Sequence, residues 1–283
     1  MLKYNSFTIN GEYFDAKSTL ECGQIFRYKP FNKGYLVFSC DKCAYVYNEN
    51  HNLIIECLSE DRDYFYNFFD VERDYSKIYQ SAIQENISVL TKAVEVSKGI
   101  RILNQDKTET LFSFIISQNN NIPRIKGIIE KLCESLGEKK SFMGEEYYAF
   151  PTVIKMAEKD YEFYESLSLG YRAKYIKNLA DKIANGYDVK SLLDYETDAI
   201  KKSLLSLTGV GPKVADCVLL FGFHKSNSFP VDTWIEKVYK EDLNGKLKDR
   251  AKISQYLVER FKENSGYYQQ YLFYYKRLNE KKR

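Results

Sequence analysis

Histidine is almost missing from this sequence, since His51 and His224 are the only two among 283 residues. A Ser-His-Asp hydrolase or a histidine-based metal enzyme is therefore a poor candidate. Six cysteines are present, but they do not form the close set of four that holds an iron–sulfur cluster. Cys40 and Cys43 form an isolated C-x-x-C pair, which we interpret as reduced thiols in a strand hairpin.

Long apolar runs and a strong charge of either sign are also missing. No apolar run reaches about 18 residues, which argues against a membrane span. Residues 1–5 lack the apolar stretch of a signal peptide, so we expect a cytoplasmic protein, associated with the nucleoid in a prokaryote or nuclear in a eukaryote. The net charge of +3 neither requires nor excludes a nucleic-acid partner.

The N-terminal part of the chain has the pattern of an antiparallel sheet. Short β-branched or aromatic runs at 34–39, 44–47 and 53–57 alternate with polar residues, as in the strands of a meander. Residues 61–70, with their paired aromatics, predict a helix that covers one face. Residues 1–98 are thus predicted to form a small antiparallel β-rich domain with covering helices.

Beyond about residue 75 the apolar residues follow helical spacing. Residues 99–283 are predicted to form an all-helical region, which makes the fold class α+β. The predicted helices are 107–117, 121–136, 152–158, 160–167, 171–184, 197–207, 213–223, 233–240, 251–262 and 267–278.

The sharpest local pattern is the segment LLSLTGVGPKVADC at residues 204–217. One helix ends, a turn with Gly209 and Gly211 follows, and a second helix begins. These glycines permit positive φ and close backbone approach, and the free N–H groups of the second helix can bind a phosphate. The pattern predicts a helix-hairpin-helix motif at about 197–223, with an ordinary αα-hairpin as the alternative for the turn alone.

A lysine and an aspartate follow this turn at a fixed distance. Lys213 opens the second helix, and Pro230-Val231-Asp232 precedes the next helical run, which Asp232 can cap. Hairpin, lysine and then Pro-Val-Asp is the pattern of the helix-hairpin-helix glycosylase superfamily, and the lysine is typical of its bifunctional members. A simple N-cap for Asp232 and a phosphate-binding lysine for Lys213 are the alternatives.

Nearly the whole chain resembles the eukaryotic-type 8-oxoguanine DNA glycosylases. Six matching segments occur in the order found in that family. They are CGQIFR (22–27), the segment from LFSFI (111–115) to NNNIPR (119–124), LGYRAKY (169–175), the hairpin, PVD (230–232), and the segment from GYYQ (266–269) to LF (272–273).

The resemblance implies the chemistry of a bifunctional glycosylase. Lys213 would attack the anomeric carbon of the damaged nucleotide as a neutral amine, the base would leave, and an imine would join sugar and enzyme. β-Elimination would then nick the strand. Asp232 would stabilise the cationic sugar-like transition state. No cofactor is required for these steps.

The resemblance also implies a pocket for the flipped base. The carbonyl of Gly23 would accept a hydrogen bond from N7–H, which 8-oxoguanine has and guanine lacks. Gln269 would bind the Watson–Crick edge. Phe273 and Cys217 would line the two faces of the base, although core packing is the plain alternative for both.

The expected partner is double-stranded DNA with 8-oxoguanine, preferentially opposite cytosine, bound by a monomer. Asn119 would fill the space of the flipped nucleotide, Tyr171 would wedge beside the orphaned cytosine, and Arg124 and Arg172 would bind that cytosine. The hairpin would contact the DNA backbone. Backbone carbonyls in the hairpin would hold a monovalent cation, and they belong to Leu205, Leu207 and Val210.

The chain departs from the family pattern at a few positions. Trp234 stands where animal members carry a phosphate-contacting histidine, and Gln118 and Pro123 replace smaller residues. Two other functions remain open at this point. One is an alkylated-purine glycosylase that uses water, which Lys213 disfavours, and the other is a non-catalytic DNA-binding module with steep salt dependence.

Overall fold

The N-terminal part of the protein is an antiparallel sheet. A computed structural model describes residues 3–280, so Met1, Leu2 and residues 281–283 lie outside the described part. The strands are β1 (Tyr4–Asn10), β2 (Tyr28–Phe31), β3 (Gly34–Ser39), β4 (Lys42–Glu49) and β5 (Asn52–Leu58). Their order is β1-β5-β4-β3-β2. The three predicted strands are confirmed, and β1 and β2, which were not predicted, form the two edges.

Two short helices, α1 (Ala16–Glu21) and α2 (Arg62–Phe68), pack against one face of this sheet. Alternation along β5 explains the packing, since Leu53, Ile55 and Cys57 are buried while the residues between them are half-buried. The aromatic side chains of α2 complete the same core. The predicted covering helix at 61–70 is therefore confirmed.

The rest of the chain is mostly helical. Each helix predicted from apolar spacing is present, with ends that differ by a few residues. The helices are α3 (Tyr75–Gln84), α4 (Ser88–Val96), α5 (Lys107–Ile116), α6 (Ile122–Leu136), α7 (Val153–Ala157), α8 (Tyr161–Ser166), α9 (Arg172–Ala184), α10 (Thr197–Leu205), α11 (Pro212–Phe221), α12 (Thr233–Lys237), α13 (Arg250–Phe261) and α14 (Ser265–Glu280).

The prediction that residues 99–283 are entirely helical is wrong at one place. Strands β6 (Lys139–Phe142) and β7 (Glu145–Tyr148) form an antiparallel hairpin between α6 and α7. Its turn has positive φ at both central residues, Met143 with 51° and Gly144 with 83°. Such a turn matches the twist of paired strands, which is why this charged segment forms a hairpin.

The β6–β7 hairpin packs against the N-terminal sheet. The rings of Tyr147 and Phe38 stack with centroids 5.0 Å apart. The buried guanidinium of Arg27 donates to the carbonyl of Tyr148 and pairs with the Glu109 carboxylate at 3.2 Å. These contacts join the sheet, the hairpin and helix α5.

The helical core extends into the N-terminal half of the chain. Helices α3 and α4 belong to this core, where α4 packs on α14, and Cys22 and Phe26 belong to it as well. The Gln270 side chain on α14 donates to the carbonyl of Cys22 at 3.2 Å. The loop that carries Gly23 is therefore held against α14.

The predicted domain boundary at residue 98 stays a prediction.

The six cysteines are free thiols. Cys40 and Cys43 lie at and just after the turn between β3 and β4, which confirms their interpretation as reduced cysteines of a strand hairpin. Across residues 3–280, no helix has both the length and the apolar character needed to cross a bilayer.

Candidate active site

The hairpin joins α10, which ends at Leu205, to α11, which begins at Pro212. Gly209 has a φ of +85°, and a Cβ there would lie 2.4 Å from the ring of Tyr175. Gly211 has a φ of −91° and open space where a Cβ would stand. Of the two predicted reasons for glycine, positive φ thus applies only to Gly209, whereas Gly211 leaves room for another backbone to approach.

Serine at these two glycines should have very different effects on stability. Gly209→Ser is expected to lower the free energy of unfolding by about 1–3 kcal/mol, because of its strained φ and the clash with Tyr175. Gly211→Ser is the matched control. It is expected to change stability by less than about 0.5 kcal/mol, since serine is a favoured N-cap. Urea unfolding measures both, and equal losses would contradict this account of the turn.

Lys213 is the second residue of α11, so its side chain leaves the hairpin at the N-terminal end of that helix. Its amine lies 5.2 Å from the centroid of the Phe114 ring and near the thiol of Cys217, one turn further along the helix. Burial raises the pKa of that thiol to about 11. Cys217 therefore remains a thiol near neutral pH. The role of Lys213 as a nucleophile stays a prediction.

Asp232 caps α12, as the sequence predicts. Its Oδ1 accepts from the backbone N–H groups of Trp234 at 3.0 Å and Ile235 at 2.9 Å. Burial raises the pKa of this carboxyl, while the two N–H groups and the positive charges of Lys213 and Arg250 oppose the rise. The cap fixes the orientation of the carboxyl group, and the neighbouring cations favour its charged form.

One cavity lies beside the hairpin and is named the hairpin cavity. It has a volume of about 730 Å³ and is lined by Lys213 and Asp232. Three residues predicted to contact DNA, Asn119, Arg124 and Gly211, also line it. The structure thus brings the proposed nucleophile to the same surface as part of the predicted DNA interface.

A second cavity, named the Gly23 cavity, has a volume of about 380 Å³. Lys213 and Asp232 line this cavity too, together with Gly23 and Phe273. Gly23 has a φ of +98°, and a Cβ there would lie 3.0 Å from Nη1 of Arg277 and 3.4 Å from the Phe273 ring. Residues from both ends of the chain therefore meet the hairpin lysine here.

Cys217 and Gln269 lie outside the walls of both cavities, and both are buried. The Gln269 side-chain nitrogen donates to the carbonyl of Pro230 at 3.1 Å. Its Oε1 has no hydrogen-bond partner within residues 3–280. The contacts of these two residues with a base stay predictions, which require a small movement of the cavity wall.

Asn119 and Tyr171 form a pair at the surface. Asn119 has a φ of +46°, and its Nδ2 donates to the Tyr171 hydroxyl at 3.1 Å. The Tyr171 side chain is 48% exposed. Arg124 is also exposed and donates to the carbonyl of Ser168 at 3.2 Å. These three side chains can reach a ligand at the surface without unfolding any element.

Arg172 is buried, unlike Arg124. Its guanidinium donates to the carbonyls of Gln118, Asn119 and Leu169. Arg172 therefore holds the loop that carries Asn119. Its predicted contact with an orphaned cytosine stays a prediction and would require some of these bonds to be exchanged.

Two family models match the chain in succession. Residues 6–111 match the N-terminal domain of 8-oxoguanine DNA glycosylases. Residues 112–263 match the HhH-GPD superfamily of base excision DNA repair proteins, and this match spans more than half of the chain, including Lys213 and Asp232. The chain belongs to the HhH-GPD superfamily.

Individual relatives agree with this membership. A Clostridium acetobutylicum 8-oxoguanine glycosylase/lyase, solved with double-stranded DNA that contains cytosine opposite 8-oxoguanine, is 36% identical. That match has a TM-score of 0.92 and covers 99% of this chain and 98% of that one. A probable N-glycosylase/DNA lyase of Methanothermobacter thermautotrophicus is 31% identical over 225 residues, 72% of this chain and 71% of the relative.

The N-glycosylase/DNA lyase of Saccharomyces cerevisiae is 39% identical over 158 residues, which are 51% of this chain and 42% of the yeast protein. The predicted α+β fold and the predicted family are therefore confirmed, and this HhH-GPD protein is a base excision repair enzyme.

Several cavity residues of this HhH-GPD enzyme were not predicted as site residues. Phe114, Ile122 and Arg277 line the Gly23 cavity, and Arg250 lines the hairpin cavity. The sequence contained a signal for one of them. Arg277 follows Phe273 by four residues and therefore lies on the same face of the helix. The others come together only through tertiary packing.

Proposed function

We propose that this enzyme excises 8-oxoguanine from double-stranded DNA and then nicks the strand, as a bifunctional N-glycosylase and DNA lyase. The observation that carries the proposal is the meeting of Lys213 and Asp232 in the wall of the Gly23 cavity. The N-terminal family match and the relatives named N-glycosylase/DNA lyase support it. A base inside a duplex cannot reach such a cavity, so the target nucleotide is flipped out.

Lys213 acts as the nucleophile. Its Nζ forms a bond to C1′ of the sugar, the bond from C1′ to the base breaks, and the electron pair leaves with the base, which takes up a proton. Opening of the sugar ring gives an imine between Lys213 and C1′. Loss of a proton from C2′ and expulsion of the 3′ phosphate then nick the strand by β-elimination.

Asp232 stabilises the positive charge that develops on the sugar while the base leaves. Its carboxylate is held by two backbone N–H groups, so it does not have to reorient during the reaction. The helix cap and the electrostatic role use the same side chain. One carboxylate oxygen, Oδ1, accepts both hydrogen bonds of the cap. The negative charge of the carboxylate acts on the sugar in the cavity.

Gly23 selects 8-oxoguanine over guanine. Its backbone carbonyl accepts from N7–H of the oxidised base and repels the unprotonated N7 of guanine. An unmade buried hydrogen bond costs about 1–3 kcal/mol, so this contact separates the two bases by roughly one or two orders of magnitude. Glycine is favoured at this position because its φ is +98° and because a Cβ would lie within 3.4 Å of Arg277 and Phe273.

Three further residues hold the base. Phe273, already in the cavity wall, stacks on one face. Cys217, which lies outside the wall in the free enzyme, reaches the other face after a small movement of the wall. The Oε1 of Gln269, which lacks a partner within residues 3–280, accepts from the N–H groups of the Watson–Crick edge. Binding of the base thus satisfies an acceptor that is buried in the free enzyme.

Cytosine is the preferred base opposite the lesion. Asn119 fills the space left by the flipped nucleotide, with its partner Tyr171 as the wedge. Arg124 and, after exchange of its carbonyl bonds, Arg172 donate to the cytosine edge. Gly209 and Gly211 keep the hairpin close to the phosphates.

A monovalent cation at the hairpin would be held by backbone carbonyls of Leu205, Leu207 and Val210. The Leu205 carbonyl suits such an ion, because α10 ends at Leu205 and the last carbonyls of a helix lack intrahelical partners. The Leu207 carbonyl already accepts from the Val210 N–H at 3.1 Å and has one lone pair left for the ion. Carbonyl oxygens are suitable ligands for K⁺. The ion would neutralise these dipoles and let the hairpin lie against a phosphate.

Base release and strand cleavage, assayed separately on duplexes with 8-oxoguanine opposite each of the four bases, test this function. We expect release of 8-oxoguanine fastest opposite cytosine, with nicked product formed by the same enzyme. Faster release of methylated purines than of 8-oxoguanine would favour an alkylated-purine glycosylase instead. DNA binding without any base release would favour a non-catalytic module.

A further inference from the structure

Arg277 is a buried cation at the wall of the Gly23 cavity. It lies on α14, its residue exposure is 9%, and its guanidinium lies 5.3 Å from the centroid of the Phe273 ring. One terminal nitrogen, Nη2, donates to the carbonyl of Glu21. This bond fixes the guanidinium beside the loop that carries Gly23.

The other terminal nitrogen of Arg277, Nη1, is buried and has no hydrogen-bond partner among residues 3–280. Leaving a buried donor without a partner is costly, and more so when the group is charged, so native proteins rarely keep one. Nη1 lies 3.0 Å from the place where a Cβ of Gly23 would stand. The unpaired donor therefore faces the space that Gly23 keeps open.

We propose that Nη1 of Arg277 donates a hydrogen bond to an oxygen on the N7 edge of the bound base, O8 or O6, and that its charge stabilises the departing base. This inference rests on the proposed excision of 8-oxoguanine. The N7 edge of that base presents O6, N7–H and O8 in a row. A carbonyl acceptor at Gly23 and a guanidinium donor beside it complement such a row.

The charge of Arg277 has its largest effect while the base leaves. As Lys213 bonds to C1′, the electron pair of the bond to the base moves onto the base, and negative charge spreads to its oxygens. A guanidinium is always protonated, so Arg277 stabilises the transition state more than the neutral bound base. Arg277 is therefore inferred to affect the rate of base release and not only binding.

Single-turnover rates with two matched duplexes test this inference. One duplex carries 8-oxoguanine opposite cytosine, and the other carries an abasic site at the same place. Arg277→Leu is expected to slow base release by roughly ten- to a hundredfold, the range for a lost hydrogen bond to a charged group. Nicking of the abasic duplex, which has no base to stabilise, is expected to stay within about twofold.

Two further variants separate the role of Arg277 from general damage. Arg277→Lys keeps the positive charge but loses the forked donors of the guanidinium. It is expected to recover part of the rate of base release that Arg277→Leu loses. Lys276→Met removes a positive charge from the adjacent residue, which pairs with Glu241 and Asp242, and is expected to release the base like the unmodified enzyme. An equal loss on both duplexes for Arg277→Leu would show a merely structural role and overturn the inference.

A third duplex with 8-oxoadenine identifies the acceptor. This base keeps N7–H and O8 but carries an amine in place of O6. If Arg277→Leu slows its release as much as it slows release of 8-oxoguanine, the acceptor is O8, and if the effect disappears, the acceptor is O6. Release of 8-oxoguanine by Arg277→Leu at the unmodified rate refutes the inference alone, whereas no release by the unmodified enzyme refutes the proposed function.

Discussion

Lys213→Gln is expected to form no covalent complex with 8-oxoguanine DNA in the presence of borohydride and to release the base more than about 10³-fold more slowly. Glutamine keeps the length and polarity of the side chain but cannot form an imine. The Lys213 amine lines both cavities, and its loss leaves the cavity walls otherwise intact. Gel detection of the trapped complex, with single-turnover rates, measures both effects.

Lys92→Gln is the matched control for this substitution. Lys92 is exposed on α4 and lines neither cavity. Lys92→Gln removes one positive charge, as Lys213→Gln does, and should trap DNA like the unmodified enzyme. A trapped complex of normal yield with Lys213→Gln would mean that another amine is the nucleophile.

Asp232→Asn is expected to slow base release by about 10²–10³-fold while leaving the free energy of unfolding nearly unchanged. Asparagine caps a helix about as well as aspartate, so the bonds to Trp234 and Ile235 are kept and only the charge is lost. Single-turnover rates and urea unfolding measure the two effects separately.

Asp232→Ala removes both the charge and the cap. It should lose about as much rate as Asp232→Asn and, in addition, about 1 kcal/mol of stability. If Asp232→Asn releases 8-oxoguanine at the unmodified rate, Asp232 is only a helix cap and its electrostatic role is wrong.

The helices could be predicted because each carries a stripe of apolar residues that the core buries. The edge strands were harder to predict. β1 alternates correctly, but Phe7 and Ile9 are its only buried residues and the positions between and around them are mostly polar. β2 contains Pro30, which argues against a strand unless the strand lies at an edge, and β2 does lie at an edge. The β6–β7 hairpin was missed because Met143 occupies a turn position that favours Asn or Gly.

The meeting of Lys213 and Asp232, the proposed catalytic pair, could be predicted because the hairpin and Pro-Val-Asp are local patterns. The proposed base pocket could not be derived in this way. Gly23 and Phe273 were found by resemblance, and the contact between Arg277 and Glu21 joins residues 256 positions apart. Whether an arginine is paired depends on such contacts, so neither the carbonyl bonds of Arg172 nor the unpaired nitrogen of Arg277 was predicted.

Peptide mapping of the borohydride-trapped complex tests the central claim most directly. The unmodified enzyme is incubated with a duplex that carries 8-oxoguanine opposite cytosine, reduced and digested, and the modified peptide is sequenced by mass spectrometry. The account predicts that the sugar remnant is attached to Lys213, in the peptide that begins the second helix of the hairpin. Attachment to another lysine or to the N-terminal amine, or release of the base with no adduct, would contradict it.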